Sequence, residues 1–207
     1  MVIDSSAFLS IKSLPVLSDT VNAMCVITAG CHVQVYSWSY HASNPNCNVK
    51  PSGIPGYVKL KGNVIFNKSS CDKGPGISRG THIQLIDPFT CSRIEYKRFD
   101  TYKWGHTGDA EAEKLSKYLD QLGDFSVIVG SMTDEASGLT KAIDALLRVG
   151  VDLSDIPYKG SYAFVTQKST NKTVLNKATT EEKSQKNPAH VNVIITGMYN
   201  SLRYRDV

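Results

Sequence analysis

Nine consecutive residues constrain the fold of this chain more than any others: His32-Val-Gln-Val-Tyr-Ser-Trp-Ser-Tyr40 alternates without a break. A period of two puts Val33, Val35, Ser37 and Ser39 on one face and Gln34, Tyr36, Trp38 and Tyr40 on the other, which is the pattern of a β-strand. The aromatic face must pack on something, so a sheet and a covering layer are expected. The 207 residues suffice for one long domain or two small ones. With 41% hydrophobic and 20% charged residues, collagenous, coiled-coil and wholly disordered readings are excluded.

Charge names no partner. Twenty-three Lys plus Arg against nineteen Asp plus Glu leave +4, spread along the chain, too little for a dedicated nucleic-acid binder. No apolar run approaches the roughly 18 residues of a membrane span. The opening Met1-Val-Ile-Asp-Ser-Ser lacks the cationic and apolar regions of a signal peptide, so a secreted form would be the mature chain.

Cysteine usage says more. Cys25, Cys31, Cys47, Cys71 and Cys91 all fall in the first half, with no Cys-x-x-Cys and no zinc-finger spacing, so neither a metal nor a cofactor is expected. Together with the sequons at Asn67-Lys-Ser69 and Asn171-Lys-Thr173, this clustering points to an oxidised, secreted glycoprotein. An odd cysteine then implies a free thiol or a disulfide-linked homodimer.

Along the chain, Ala7 to Ile11 reads as a strand and Ser18 to Thr28 as a helix capped by Ser18 or Asp19. Residues 41 to 55 concentrate Pro, Asn and Gly and form the best candidate boundary. Val58 to Phe66 is strand-like. Thr81 to Ile86 and Arg93 to Phe99 flank the turn Asp87-Pro-Phe-Thr-Cys91 and should pair antiparallel. Helical spacing runs through Asp109 to Leu122 and through Asp134 to Val149, where Gly150 stops it. Phe125 to Gly130, Ser161 to Thr166 and Val191 to Thr196 complete the strands, and Lys168 to Lys186 reads as exposed. The succession defines an α/β (α+β) unit with a mixed sheet and helical crossovers.

Four constellations invite chemistry. Gly74, Gly76 and Gly80 resemble a phosphate loop in count, but a strand follows them where a helix N-terminus is required. Ser131, His106 and Asp100 form a triad only on paper, without Gly-x-Ser-x-Gly around Ser131. Asp134 and Glu135 at a helix start are explained by capping and the helix dipole. Tyr102, Trp104 and His106 form either core or a stacking platform for a ligand.

Four stretches resemble the interleukin-like EMT inducer (ILEI) domain in order and spacing. They are Arg79-Gly-Thr-His-Ile-Gln-Leu-Ile-Asp-Pro-Phe-Thr90, Arg98-Phe-Asp-Thr-Tyr102, Phe125-Ser-Val-Ile-Val-Gly-Ser-Met-Thr-Asp-Glu-Ala-Ser137 and Tyr158-Lys-Gly-Ser-Tyr-Ala-Phe-Val165. The resemblance spans roughly residues 57 to 200. The same domain forms the stem of the protein O-mannose N-acetylglucosaminyltransferase and occurs in hyaluronan-processing proteins. It implies a mixed β-sandwich with flanking helices and no catalytic machinery, binding carbohydrate in some members and signalling like a cytokine in others. Glycine is usual where Cys91 stands, which implies a Cys71–Cys91 bridge. An Arg-Asp pair before Ser-Trp-Ala-Phe is replaced by Lys159-Gly160 before Ser161-Tyr162, so the resemblance implies that Lys159 and Tyr162 substitute only in part for an arginine and an aromatic of the family's sugar pocket, a Lys point charge replacing a planar fork.

The first 56 residues are similar to a PAN/apple module, with Cys25 on a helix, then Cys31 and Cys47. That resemblance implies a Cys25–Cys31 bridge and leaves Cys47 as the free or intermolecular cysteine, because Val21 occupies the usual second helical cysteine position. The expected protein has a small disulfide-containing PAN-like segment (1–56) and an ILEI-type domain (57–207). It is secreted and non-enzymatic, and it binds a glycan or glycoprotein through Asp134, Lys159, Trp104 and Arg79. A cytokine-like or adhesive ligand for a protein receptor is the alternative. A glycosidase is disfavoured, since no carboxylate pair is placed on opposing elements.

Overall fold

The computed structural model describes residues 26–39, 56–68, 79–102, 107–134, 138–153, 161–168, 176–179, 189–198 and 201–207. The strands are β1 (Val26–Ser39), β2 (Gly56–Leu60), β3 (Asn63–Lys68), β4 (Gly80–Asp87), β5 (Ser92–Phe99), β6 (Val127–Asp134), β7 (Ala163–Gln167), β8 (Asn176–Thr179), β9 (Ala189–Met198) and β10 (Ser201–Asp206). Helix α1 (Thr107–Gln121) lies between β5 and β6. A 3₁₀ turn, Leu139–Ala142, runs into α2 (Ile143–Arg148) between β6 and β7.

The described strands form two antiparallel sheets of order β10-β9-β1-β2-β3 and β5-β4-β6-β7-β8. They meet where the end of β1 pairs parallel with the end of β6, Trp38 opposite Thr133 and Ser39 opposite Asp134. Just before that junction Ser37 takes the place of a ladder bond: its Oγ donates to the Met132 carbonyl (2.6 Å) and accepts from the Met132 N–H (2.9 Å). The strand that alternates most regularly in sequence thus ties the two sheets together.

Two cores define three layers. Between the sheets, Cys31, Val33 and Val35 of β1 pack with Val191, Val193 and Ile195 of β9 and with Ile86, Val127, Val129 and Val165 of the second sheet. On that sheet's other face, Ile83, Ile128, Met132 and Phe164 receive Ala112, Leu115 and Leu119 of α1 and Ala145 and Leu146 of α2. Because β4 and β6 are covered on both sides, they read as runs rather than as clean alternations. Gly130 of β6 lets the Phe164 ring lie on the backbone, since a Cβ there would sit 2.1 Å from its Cζ.

The class is therefore α+β, mostly sheet. α1 crosses over β4 to join the parallel strands β5 and β6, as a crossover helix should, whereas α2 connects the antiparallel neighbours β6 and β7. The second expected helix is shortened at its start, because Asp134 ends β6. Val58 to Phe66 is a hairpin, β2 and β3 joined by Lys61 (φ 48°) and Gly62 (φ 79°) in the left-handed region. Val26 to Thr28 belong to β1, not to a helix. The rest of that expected helix and the strand at Ala7 to Ile11 lie outside the described residues.

α1 has Asp109 in its first turn and no basic residue in its last. Lys168, just beyond β7, supplies the missing cation: its Nζ donates to the carbonyls of Leu119 (3.0 Å), Asp120 (2.8 Å) and Leu122 (2.7 Å).

This topology bears on two expectations. β1, which falls within residues 1–56, is hydrogen-bonded on one edge to β9 and on the other to β2 and β6, so continuous sheet crosses the boundary expected near residue 56. Cys31 is bonded to Cys91, with Cα atoms 5.2 Å apart, so the expected Cys25–Cys31 and Cys71–Cys91 pairings are both replaced. The sheets place Cys31 of β1 against the β4–β5 turn, geometry that spacing alone does not reveal. Closing 60 residues of chain, this bridge stabilises the fold by about 4 kcal/mol on chain-entropy grounds. Cys25, Cys47 and Cys71 lie outside the described residues, as does Asn171. Asn67 is exposed on β3.

Candidate functional site

The layer between the sheets changes character along its length. Read from one end to the other, the strands facing it run Cys31-Val33-Val35-Ser37 on β1, Ile195-Val193-Val191-Ala189 on β9, Ile86-Gln84-His82-Gly80 on β4 and Val127-Val129-Ser131-Thr133 on β6. Large apolar side chains give way to small or polar ones on every strand. At the apolar end the disulfide closes the layer. At the other, Ala163 of β7 stands opposite Ser131, and Arg98 of β5 stands opposite His82.

Polar groups buried here would ordinarily be paired, because an unsatisfied one costs about 1–3 kcal/mol. His82 is: its Nδ1 shares a hydrogen bond with the Tyr96 hydroxyl (2.9 Å), and Phe66 packs on both rings. Burial raises the Tyr96 phenol above its ordinary pKa, and Arg98 and Arg93 pull it partly back. Nε2 and Oε1 of Gln84, Nη1 of Arg98, Oγ of Ser131 and Oγ1 of Thr133 are shielded from solvent and, among the described residues, have no hydrogen-bond partner. Gln84 is 0% exposed, Ser131 and Thr133 1%. No carboxylate among the described residues pairs with Arg98.

At the mouth of this end, a clasp joins β4 to the chain leaving β5. Arg79 binds Asp100 through both Nε and Nη2, each at 2.9 Å, and its guanidinium lies 4.0 Å from the Tyr102 ring centroid. One residue along, Gly80 has φ +103°, and a Cβ there would sit 2.2 Å from the Phe99 carbonyl oxygen. Thr81 Oγ1 then bonds Thr101 Oγ1 (2.9 Å) and, at short range, the Tyr162 hydroxyl, while Gly138 N–H donates to the Thr101 carbonyl (2.8 Å). Tyr162 is fully buried, and that burial raises its phenol pKa. Arg-Gly-Thr, Phe-Asp-Thr-Tyr and the Tyr before β7, distant in sequence, thus form one network. Tyr162 is core and does not reach the surface as the sugar-pocket aromatic it was expected to replace.

Of the four expected site residues, Arg79 is held by Asp100 and Tyr102. Asp134 ends β6, one position beyond Thr133, which pairs with Gly80, so Arg79 and Asp134 occupy adjoining register positions. Trp104 and Lys159 lie outside the described residues. The segments carrying them begin after Tyr102 and end before Ser161, next to Thr101 and Tyr162 of the network. The paper triad dissolves: Asp100 is paired with Arg79, Ser131 faces the inter-sheet layer, and His106 lies outside the described residues. Sequence reasoning missed Gln84, Arg98 and Thr133. The available signal was a polar residue or glycine at every inward position of β4 and β6 toward one end.

The opposite end holds a cleft of about 90 Å³ lined by Leu85, Ile86, Pro88, Ile94 and Phe125, well below the few hundred Å³ typical of ligand pockets. Among the described residues, no three His, Cys, Asp or Glu side chains gather as a metal site, and no helix is long and apolar enough to cross a membrane.

These features define a β/β/α sandwich with a disulfide across its sheets and a polar, loop-bearing end. Residues 79–170 match the family model of the interleukin-like EMT inducer. The match runs from β4 through β7 with both helices, so it takes in the clasp and the polar end but neither β1 nor β9. No curated protein matches the chain.

Proposed function

We propose that the protein is secreted, non-enzymatic and glycan-binding, with its site on the rim formed where β4 begins and β5 and β6 end. The observation that carries this reading is the convergence at one end of Arg79, Asp134 and the chain flanking Trp104 and Lys159. Shallow sugar sites combine an aromatic face for the apolar side of the ring with charged or amide groups for its hydroxyls, and these four residue types supply that set. The clasp holds Arg79 in place, which keeps a rim site pre-organised. Glycan-array binding followed by titration tests the reading. Asp134→Ala should weaken the best glycan at least tenfold with an unchanged melting temperature. A folded protein that binds no glycan overturns it.

The family description, an interleukin-like inducer, supports a second reading as a receptor ligand. Saturable cell binding that free sugars do not compete favours that alternative.

A further inference from the structure

The polar end of the inter-sheet layer carries an inference that does not depend on the rim. Gln84 Nε2, Arg98 Nη1, Ser131 Oγ and Thr133 Oγ1 are all hydrogen-bond donors, buried, on one face of three adjacent strands and without partners among the described residues. By register, His82 lies between Arg98 and Ser131 on one rung, Thr133 follows two residues beyond Ser131 toward the rim, and Gln84 lies two residues from His82 in the opposite direction. Ser37, Ala163 and Ala189, which face the same end of the layer, are small. A shielded guanidinium nitrogen with no counter-charge among the described residues is the costliest of these groups and the most selective, because it calls for an anion. The geometry points to an oxyanion site inside the sandwich: a carboxylate or sulfate group bound by Arg98, with Ser131 and Thr133 donating to its oxygens.

Such a group could arrive as a free small anion or on an acidic sugar, and calorimetric titration of the purified protein separates the two. Sodium acetate and sodium sulfate probe the first source and sodium glucuronate the second, with methyl glucoside as neutral control. Saturable binding of any of the three anions, absent for methyl glucoside, is the expected result. Glucuronate alone assigns the sugar-borne source. Arg98→Gln should weaken binding roughly ten- to hundredfold, the worth of one charge-assisted hydrogen bond. Thr133→Val, nearly isosteric, should weaken it severalfold while leaving the melting temperature of the anion-free protein unchanged or higher, and it carries the test should Arg98→Gln not fold. Absence of saturable binding by all three anions overturns the assignment, as does equal affinity in both variants. A drop in melting temperature for Thr133→Val without anion binding shows that the cluster holds only water.

Discussion

The two ends of the inter-sheet layer are made by the same strands and held together by different physics. At one end, Val33, Val127, Val193, Ile86 and Ile195 fill space beside the Cys31–Cys91 bridge, and stability scales with buried volume. At the other, side chains are small or polar, and specific bonds take over: Ser37 joins the sheets through both backbone groups of Met132, while Arg79 with Asp100 and Thr81 with Thr101 and Tyr162 tie together the adjoining edge of the second sheet. An end built on bonds rather than volume can leave some groups unpaired for a ligand, which a close-packed end cannot. The sandwich thus keeps close apolar packing and unpaired polar groups at opposite ends of one layer.

Substitutions can break this contrast. The largest effect is expected from Gly80→Ala at the polar end, where a methyl would meet the Phe99 carbonyl at 2.2 Å on a left-handed backbone. A loss above about 4 kcal/mol in denaturant unfolding should follow, and a mild loss would show that the clasp is loose. Next, Ile86→Ala at the apolar end should lose about 2–5 kcal/mol, while Ser131→Ala, on the same face of the layer, should fall within about 1 kcal/mol of the parent or gain, since its hydroxyl has no partner among the described residues. Equal losses would abolish the distinction between the ends.

The smallest effect concerns pH. Tyr162 has its phenol raised above the ordinary 10.0 by burial, so the folded state resists ionisation that the unfolded chain permits. Its contribution is fully present below about pH 10 and is lost as pH rises toward the raised value. Melts between pH 9 and 11 should show stability falling above pH 10. Tyr162→Phe should lessen that fall, with the raised phenols of Tyr118, Tyr96 and Tyr57 supplying the remainder, while losing about 1 kcal/mol at neutral pH for the bond to Thr81.

Local patterns made most strands and α1 legible. The β1 alternation is unambiguous, and the Asp87 turn between β4 and β5 carries its own chemistry, with Asp87 Oδ1 accepting from the Phe89 N–H (2.8 Å). What stayed hidden was non-local. No spacing rule pairs Cys31 with Cys91 or puts β1 between β9 and β2. β10 went unread as a strand because its six residues, Ser-Leu-Arg-Tyr-Arg-Asp, offer little apolar signal, and β9 alone templates it. The polar cluster was obscured by a sound rule: polar residues in a strand usually face water, and Gln84, Ser131 and Thr133 face inward. Even so, Arg79, Asp100, Thr101 and Tyr162 all stand in the stretches that carry the family resemblance, and the structure joins them in one network.

The place of β1 also has a consequence for biosynthesis. His32 of β1 meets Asn192 of β9 in a 2.7 Å hydrogen bond, 160 residues further along. At roughly 5–20 residues per second, β1 waits on the order of 10–30 s on the ribosome before the strand that completes its sheet exists. During that interval an alternating strand with one apolar face stands without its neighbour, so this chain should depend on chaperone shielding early and complete its fold late in synthesis.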